Sequence, residues 1–279
     1  MAGPRRWDLS DEELRRVSAA RSGGIGGRAA VALLARNPRL AAELVRVAGS
    51  AVRTGVFGNN SLSSLLGAER ARRAVPDAAT GVGWYDERPF LAALTPWLRD
   101  GSVVLELGCG AGRISRHVAP LVAELVCTDI SPTMVAEARE NLAAHANVRA
   151  QLTDGYALPE FDDERFHVAY GQGVLGYMAP NQLLALLDEV RRVLRPGGVS
   201  VFNFFTIDRP EDARHHLEVV LAQARRRRPH GGIDEAYTRA QLEAMHATVG
   251  LEVVTSADGD GGKPAMDRIV LVGRRSQPG

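Results

Sequence analysis

The sequence predicts an α/β protein: a mainly parallel sheet covered on both faces, preceded by a helical arm. Three observations carry this. From about residue 81 onward short apolar strands alternate with helical patterns, which implies βαβ units. Before residue 80 the apolar residues recur at helical spacing only. The chain has 279 residues, 45% hydrophobic and 24% charged, enough for one or two globular domains with a buried core.

In chain order, Ser10 and Glu13 form a capping box ahead of an amphipathic stretch, and further helical patterns cover 28–35 and 40–52. Gly23-Gly24, Gly26-Gly27, Asn37-Pro38 and Gly58-Asn59-Asn60 separate these pieces. Residues 1–80 are read as an N-terminal helical cap or arm, and 81–279 as the main domain. Strands are predicted at 103–107, 124–128, 148–153, 166–171 and 198–205, with helices at 132–144 and 182–194. Arg195-Pro-Gly-Gly198 ends the second of these helices. An excursion over about 206–236 carries its own amphipathic helix. Thr238 and Gln241 cap another helix that ends near Gly250, and two closing strands, 251–255 and 268–272, suit an antiparallel hairpin.

Composition narrows the function classes. With 34 Lys+Arg against 33 Asp+Glu and a net charge of +1, the chain lacks the overall basic excess with which nucleic acids and anionic membranes are broadly bound, which leaves local patches open. Cys109 and Cys127 are its only cysteines, too few for a disulfide framework and without the clustering of a metal site. A reducing cytosol is the simplest compartment. The start leads into the charged stretch Asp11 to Arg16 rather than an apolar signal region, and no apolar run approaches the ~18 residues a spanning helix needs. A soluble, cytoplasmic protein without a metal is expected.

The most specific segment is Val103-Val-Leu-Glu-Leu-Gly-Cys-Gly-Ala-Gly112. An apolar strand runs directly into glycines that let the backbone turn tightly and lie against a ligand, with the free N–H groups of a helix start beyond. A dinucleotide fingerprint is G-x-G-x-x-G; here Gly108, Gly110 and Gly112 spell G-x-G-x-G, and Arg113 stands where the third dinucleotide glycine belongs. Glu106, two residues before the first glycine, suits a ligand with a cationic amino group better than a pyrophosphate. Asp129 ends the next strand, where a carboxylate can accept from both hydroxyls of a ribose. Asp154-Gly155 ends the third, placed to accept from the exocyclic amine of an adenine. Each aspartate alone is also common in turns and helix caps; the three signals in order at successive strand ends are what give the pattern weight.

On these residues the chain resembles the class I S-adenosylmethionine-dependent methyltransferases, over roughly residues 81–279. Glu106-Leu-Gly-Cys-Gly-Ala-Gly112 is similar to that family's first motif, and the strand order and two-strand tail match as well. The resemblance implies a Rossmann-like seven-stranded sheet with an antiparallel last strand, and S-adenosyl-L-methionine as cofactor. It implies that Glu106, Gly108 and Gly110, with Cys109 between the glycines, hold the methionine part and that Asp129 holds the ribose. Ile130 and Met134 would pack the adenine, with Asp154 and Gly155 at its amine. Gln172-Gly-Val174 would face the donor sulfonium. The family often has an acidic residue near the start of the fourth strand, where this chain reads Phe166-His167-Val168. His167 is read as structural: five residues before Gln172, it lies ~17 Å from the carboxyl edge at ~3.3 Å per residue.

Methyl transfer from a sulfonium is an in-line displacement that needs alignment and exclusion of water more than a strong base. A hydroxyl acceptor would still benefit from one, and the candidates are Tyr85, Tyr177 and His216. His216 lies at the margin of the apolar face formed by Ala213, Leu217, Val220, Leu221 and Ala224, with His215 opposite. A boundary histidine and two packing tyrosines are the plainer reading of the same residues. Arg225 to Arg228 reads as a solvated helix end.

The expected activity is methyl transfer to a small-molecule acceptor, in bacterial secondary metabolism, with no nucleic-acid or membrane partner. The N-terminal helices are expected to serve as a lid, as the contact of a homodimer or higher homo-oligomer, or as both. The alternative is a methyltransferase-fold cyclase or pericyclase that retains the cofactor non-catalytically, since fold does not fix function.

Overall fold

The structure, a computed structural model, describes residues 87–153, 155, 157–175, 178–225, 236–258 and 267–276. The helical arm expected over 1–80 and the 225–228 arginine run beyond Arg225 lie outside them. The order along the chain is α1 (Arg88–Leu94), β1 (Val103–Leu107), α2 (Ser115–Val118), β2 (Glu124–Asp129), α3 (Pro132–Asn141), β3 (Val148–Leu152), β4 (Phe166–Gly171), α4 (Pro180–Val193), β5 (Leu194–Thr206), α5 (Pro210–Arg225), β6 (Ala236–Tyr237), α6 (Arg239–Thr248), β7 (Leu251–Asp258) and β8 (Asp267–Arg275).

These strands form one sheet in the order β3-β2-β1-β4-β5-β8-β7. Pairing is parallel from β3 across to β5, and β8 inserts antiparallel between β5 and β7. The expected seven strands with an antiparallel last strand are therefore present. The two-residue β6 is an addition: it pairs in parallel with Phe205 and Thr206 of β5, and the Tyr237 hydroxyl donates to Met178 O at 2.7 Å. The excursion after β5 thus returns beside the segment that follows β4.

Two boundaries differ from the sequence reading, each for a local reason. Helix α4 starts at Pro180, because proline suits the first helical position and the Gln182 side chain accepts the Ala179 N–H at 3.1 Å. Strand β5 starts at Leu194, because Leu194 pairs with Phe166 and Val199 with Val168, so Arg195-Pro-Gly-Gly198 bulges out between two paired stretches.

The strands are buried on both sides, as a sheet with helices on each face requires. Val104, Cys127, Tyr170 and Val201 face α1, α2 and α3, through Phe90, Leu94, Val118 and Val135. Leu105, Val126, Ala169 and Phe202 face the other way, against Leu183, Leu186, Leu187 and Val190 of α4 and Leu242 of α6. Each fully buried leucine contributes about 1.5–3 kcal/mol. Helix α5 is different. Leu217 and Leu221, read from the sequence as part of its apolar face, are 64% and 50% exposed.

The order of the strands reverses between β1 and β4, which makes a crevice outside their carboxyl ends. The glycine-rich segment lies there.

Candidate functional site

The crevice is built on a left-handed backbone. Gly108, Gly110 and Gly112 have φ of +65°, +54° and +90°, a region that costs an L-residue roughly 1–2 kcal/mol. The three differ in their surroundings. A Cβ on Gly108 would clash with Val174 Cγ2 and one on Gly112 would lie 2.9 Å from Leu142 Cδ1, whereas one on Gly110 would meet nothing within 4 Å among the described residues. Gly108 and Gly112 are packed against protein, and Gly110 faces open space.

Asp129 holds this turn from the end of β2. Its Oδ2 accepts the Gly110 N–H at 2.9 Å and its Oδ1 accepts the Ser131 N–H at 2.8 Å. Burial raises its pKa, opposed by backbone hydrogen bonds from Ser131, Gly110 and Ile130. A carboxylate offers about four acceptor positions, so with three backbone donors on Asp129 one remains for a ligand. Ser131 caps α3, its Oγ accepting the Met134 N–H, and so sets the buried Met134 at the start of that helix. Ile130 Cγ2 stands 2.7 Å from where a Cβ on Gly155 (φ +76°) would be, so Ile130 and Gly155 converge. Asp154 lies outside the described residues.

Glu106 lies beneath the loop, 2% exposed. Its Oε2 accepts from the Ser115 hydroxyl in a short hydrogen bond and from the Cys127 thiol at 3.5 Å. Burial pushes its pKa up to about 7, against the opposing effects of Ser115, Tyr170, Cys127 and Arg113. The Tyr170 hydroxyl, next to Glu106 across the β1–β4 ladder, is buried without a hydrogen bond of good geometry among the described residues. Cys109 is buried; the bond with Cys127 and desolvation raise its thiol well above the ordinary range. It is a packing thiol, and its contribution to the loop is the backbone N–H given to Thr128 O at 2.9 Å.

The far wall is the segment after β4. The Gly173 N–H donates to Asn203 Oδ1 at 2.7 Å, and Val174 packs on Gly108. Gln172 Oε1 accepts from Arg113 Nη2 at 2.5 Å, while Arg113 Nη1 pairs with Glu87 at 2.8 Å. Arg113 therefore joins the glycine loop to the end of β4 and to the segment before α1. Sequence reasoning used Arg113 only as the residue that replaces a glycine, and passed over Glu87, Ser115, Ser131 and Asn203. The Ser131-Pro132 step was a cap signal in plain view; the other three carried none.

Glu106, Gly108, Cys109, Gly110, Asp129, Ile130, Met134, Gly155 and Gln172 all sit on β1, β2, β3 or β4, or on the segments leaving their carboxyl ends. Tyr85 and Tyr177 lie outside the described residues. His216 is on α5, half-buried. His167 is at the opposite end of β4, accepting the Val103 N–H on Nδ1 at 3.0 Å. Among the described residues no three His, Cys, Asp or Glu are grouped to hold a metal, and no helix is long and apolar enough to cross a membrane.

Residues 104–198 match the family model of a methyltransferase domain. A malonyl-[acyl-carrier protein] O-methyltransferase of Salmonella typhimurium is 38% identical over 104 residues, 37% of this chain and 39% of that protein. The curated relatives are matched over 37% to 52% of their length. Among solved structures, a SAM-dependent methyltransferase of Methanosarcina mazei superposes with a TM-score of 0.55 at 18% identity, over 67% of this chain and 98% of that one. The [4+2]-cyclase SpnF superposes with a TM-score of 0.50 at 18% identity, over 65% of this chain and 77% of that one.

Proposed function

We propose, from the premise that residues 104–198 are a methyltransferase domain in the class I fold, that the chain transfers a methyl group from S-adenosylmethionine to a small-molecule acceptor of secondary metabolism. The observation that carries this is the pairing of Gly110, left-handed and facing open space, with the buried Asp129 carboxylate that holds it. That surface admits a ligand against bare backbone with an acceptor for hydroxyls beside it.

The residues present fit the cofactor. Glu106, Gly108, Cys109 and Gly110 would hold the methionine part, and Asp129 the ribose. Ile130, Met134, Asp154 and Gly155 would hold the adenine, and Gln172 would stand at the sulfonium edge. When bound, S-adenosylmethionine supplies an electrophilic methyl group for in-line displacement. The chain's own part is to bind, orient and exclude water. Glu106 provides negative charge under the loop as it ionises, and Arg113 fixes the Gln172 amide. His216, Tyr177 and Tyr85 are the candidates to take a proton from a hydroxyl acceptor.

Incubation with methyl-labelled S-adenosylmethionine and a panel of small acceptors tests this: label must appear in an acceptor, with S-adenosylhomocysteine released in equal amount. The likeness to a structure named for a cyclase favours a second reading, in which the cofactor is retained and a rearrangement is catalysed. Substrate conversion in a saturated enzyme with no S-adenosylhomocysteine released would select it.

A further inference from the structure

The end of the sheet opposite the glycine loop carries a second concavity, of about 480 Å³, lined by Trp97, Arg99, His167, Arg195 and Arg274 among others. It is built by the bulge of Arg195-Pro-Gly-Gly198 within β5. A Cβ on Gly198 would lie 2.8 Å from Arg195 O and 3.2 Å from His167 O, so only glycine lets Arg195-Pro-Gly-Gly198 fold back this tightly. That fold sets Arg195 Nη1 2.8 Å from His167 Nε2.

This contact orients the Arg195 guanidinium at the rim of the concavity, and His167 is itself held against β1, its Nδ1 3.0 Å from the Val103 nitrogen. A guanidinium has donors only, and His167 engages one Arg195 nitrogen, so Arg195 keeps donors for a ligand.

The rest of the wall matches. Arg99 is fixed by Nη1 bonds to Pro96 O at 2.7 Å and Leu98 O at 2.6 Å. Arg274 lies over the Trp97 ring, 5.4 Å from its centroid. Among the described residues, none of Arg99, Arg195 and Arg274 forms an ion pair; Glu252, opposite Arg274 in the β7–β8 ladder, forms none with it. Three guanidiniums held about one concavity without a carboxylate partner favour an anion.

We propose that this concavity is a second binding site, for a phosphate group, in which Arg195, positioned by His167, donates to the phosphate and Arg99 and Arg274 complete its neutralisation. It is independent of the cofactor reading, since it lies at the other edge of the sheet. Calorimetric titration of the full chain with inorganic phosphate, pyrophosphate and glycerol 3-phosphate, at low salt, tests it. Saturable binding should be weakened about tenfold or more by Arg195→Gln and by Arg274→Gln, with S-adenosylhomocysteine affinity unchanged in both. The His167 side-chain nitrogen resonances should shift as the site fills. Equal affinity for the three probes identifies free phosphate as the ligand, and tighter binding of glycerol 3-phosphate a phosphate ester. No saturable binding by any probe, or binding that both substitutions leave unchanged, overturns the proposal.

Discussion

The Gly110 N–H donates to Asp129 Oδ2 at 2.9 Å, joining the turn after β1 to the end of β2. This one bond fixes the left-handed turn and sets the carboxylate beside the open face of Gly110, so scaffold and ligand surface share the same atoms.

The loop glycines separate stability from binding. At Gly110 an added methyl group meets no atom of the described residues, so Gly110→Ala should cost only the backbone strain, roughly 1–2 kcal/mol, while blocking the ligand. At Gly108 the strain is joined by a clash with Val174, about 1–3 kcal/mol more. Thermal melts and S-adenosylhomocysteine titration should show Gly110→Ala folded but non-binding, and Gly108→Ala markedly less stable. Adding Val174→Ala should recover the clash in the Gly108 variant but not its strain.

Asp129→Ala should weaken S-adenosylhomocysteine binding by roughly 1.5–3 kcal/mol, the value of lost charge-assisted hydrogen bonds. Calorimetry measures it, with Asp129→Asn as the variant that keeps one carbonyl acceptor for the loop. Unchanged affinity in a folded Asp129→Ala protein would remove the ribose role. NAD should give no saturable binding.

Glu106 makes stability depend on pH in the less usual direction. Its folded pKa, about 7, lies above the ordinary 4.5, so the folded state holds the proton more tightly. The stabilisation is full below about pH 4.5 and is lost as pH rises to about 7, by roughly 3 kcal/mol. Asp129, also raised, adds a loss of the same sign. Denaturant midpoints from pH 4.5 to 8 should fall in the natural protein, and the part due to Glu106 should vanish in Glu106→Gln. Affinity for the cationic cofactor should rise over the interval in which Glu106 ionises, and flatten in the same variant.

His216→Ala, Tyr177→Phe and Tyr85→Phe should change acceptor kinetics more than cofactor affinity, because none of the three belongs to the glycine loop or to the strand ends that carry the cofactor candidates. Steady-state rates against acceptor, set beside S-adenosylhomocysteine titrations, separate the two. Full turnover in all three variants would leave alignment alone as the chain's contribution to the transfer step.

The sequence by itself determined the sheet and its cofactor edge, because those signals are local. Strands from Val103 to Thr206 show as apolar runs, G-x-G-x-G shows as a backbone that must turn left-handed, and an aspartate ends the next strand in the expected place. Tertiary structure decided what each group does there. The Arg113–Gln172 bond joins residues 59 apart in sequence, and the pairing of Arg195 with His167 spans 28; no local pattern encodes either contact, since each depends on where two strand ends are brought together. The same holds for Glu106. Its position was legible as a motif, but its elevated pKa comes from complete burial beneath the loop, only partly opposed by Ser115, Tyr170 and Cys127 on three different elements. Helix α5 marks the converse limit: its stripe of Leu217 and Leu221 was legible as helical periodicity, which reports that a face is apolar and carries no information about what covers it.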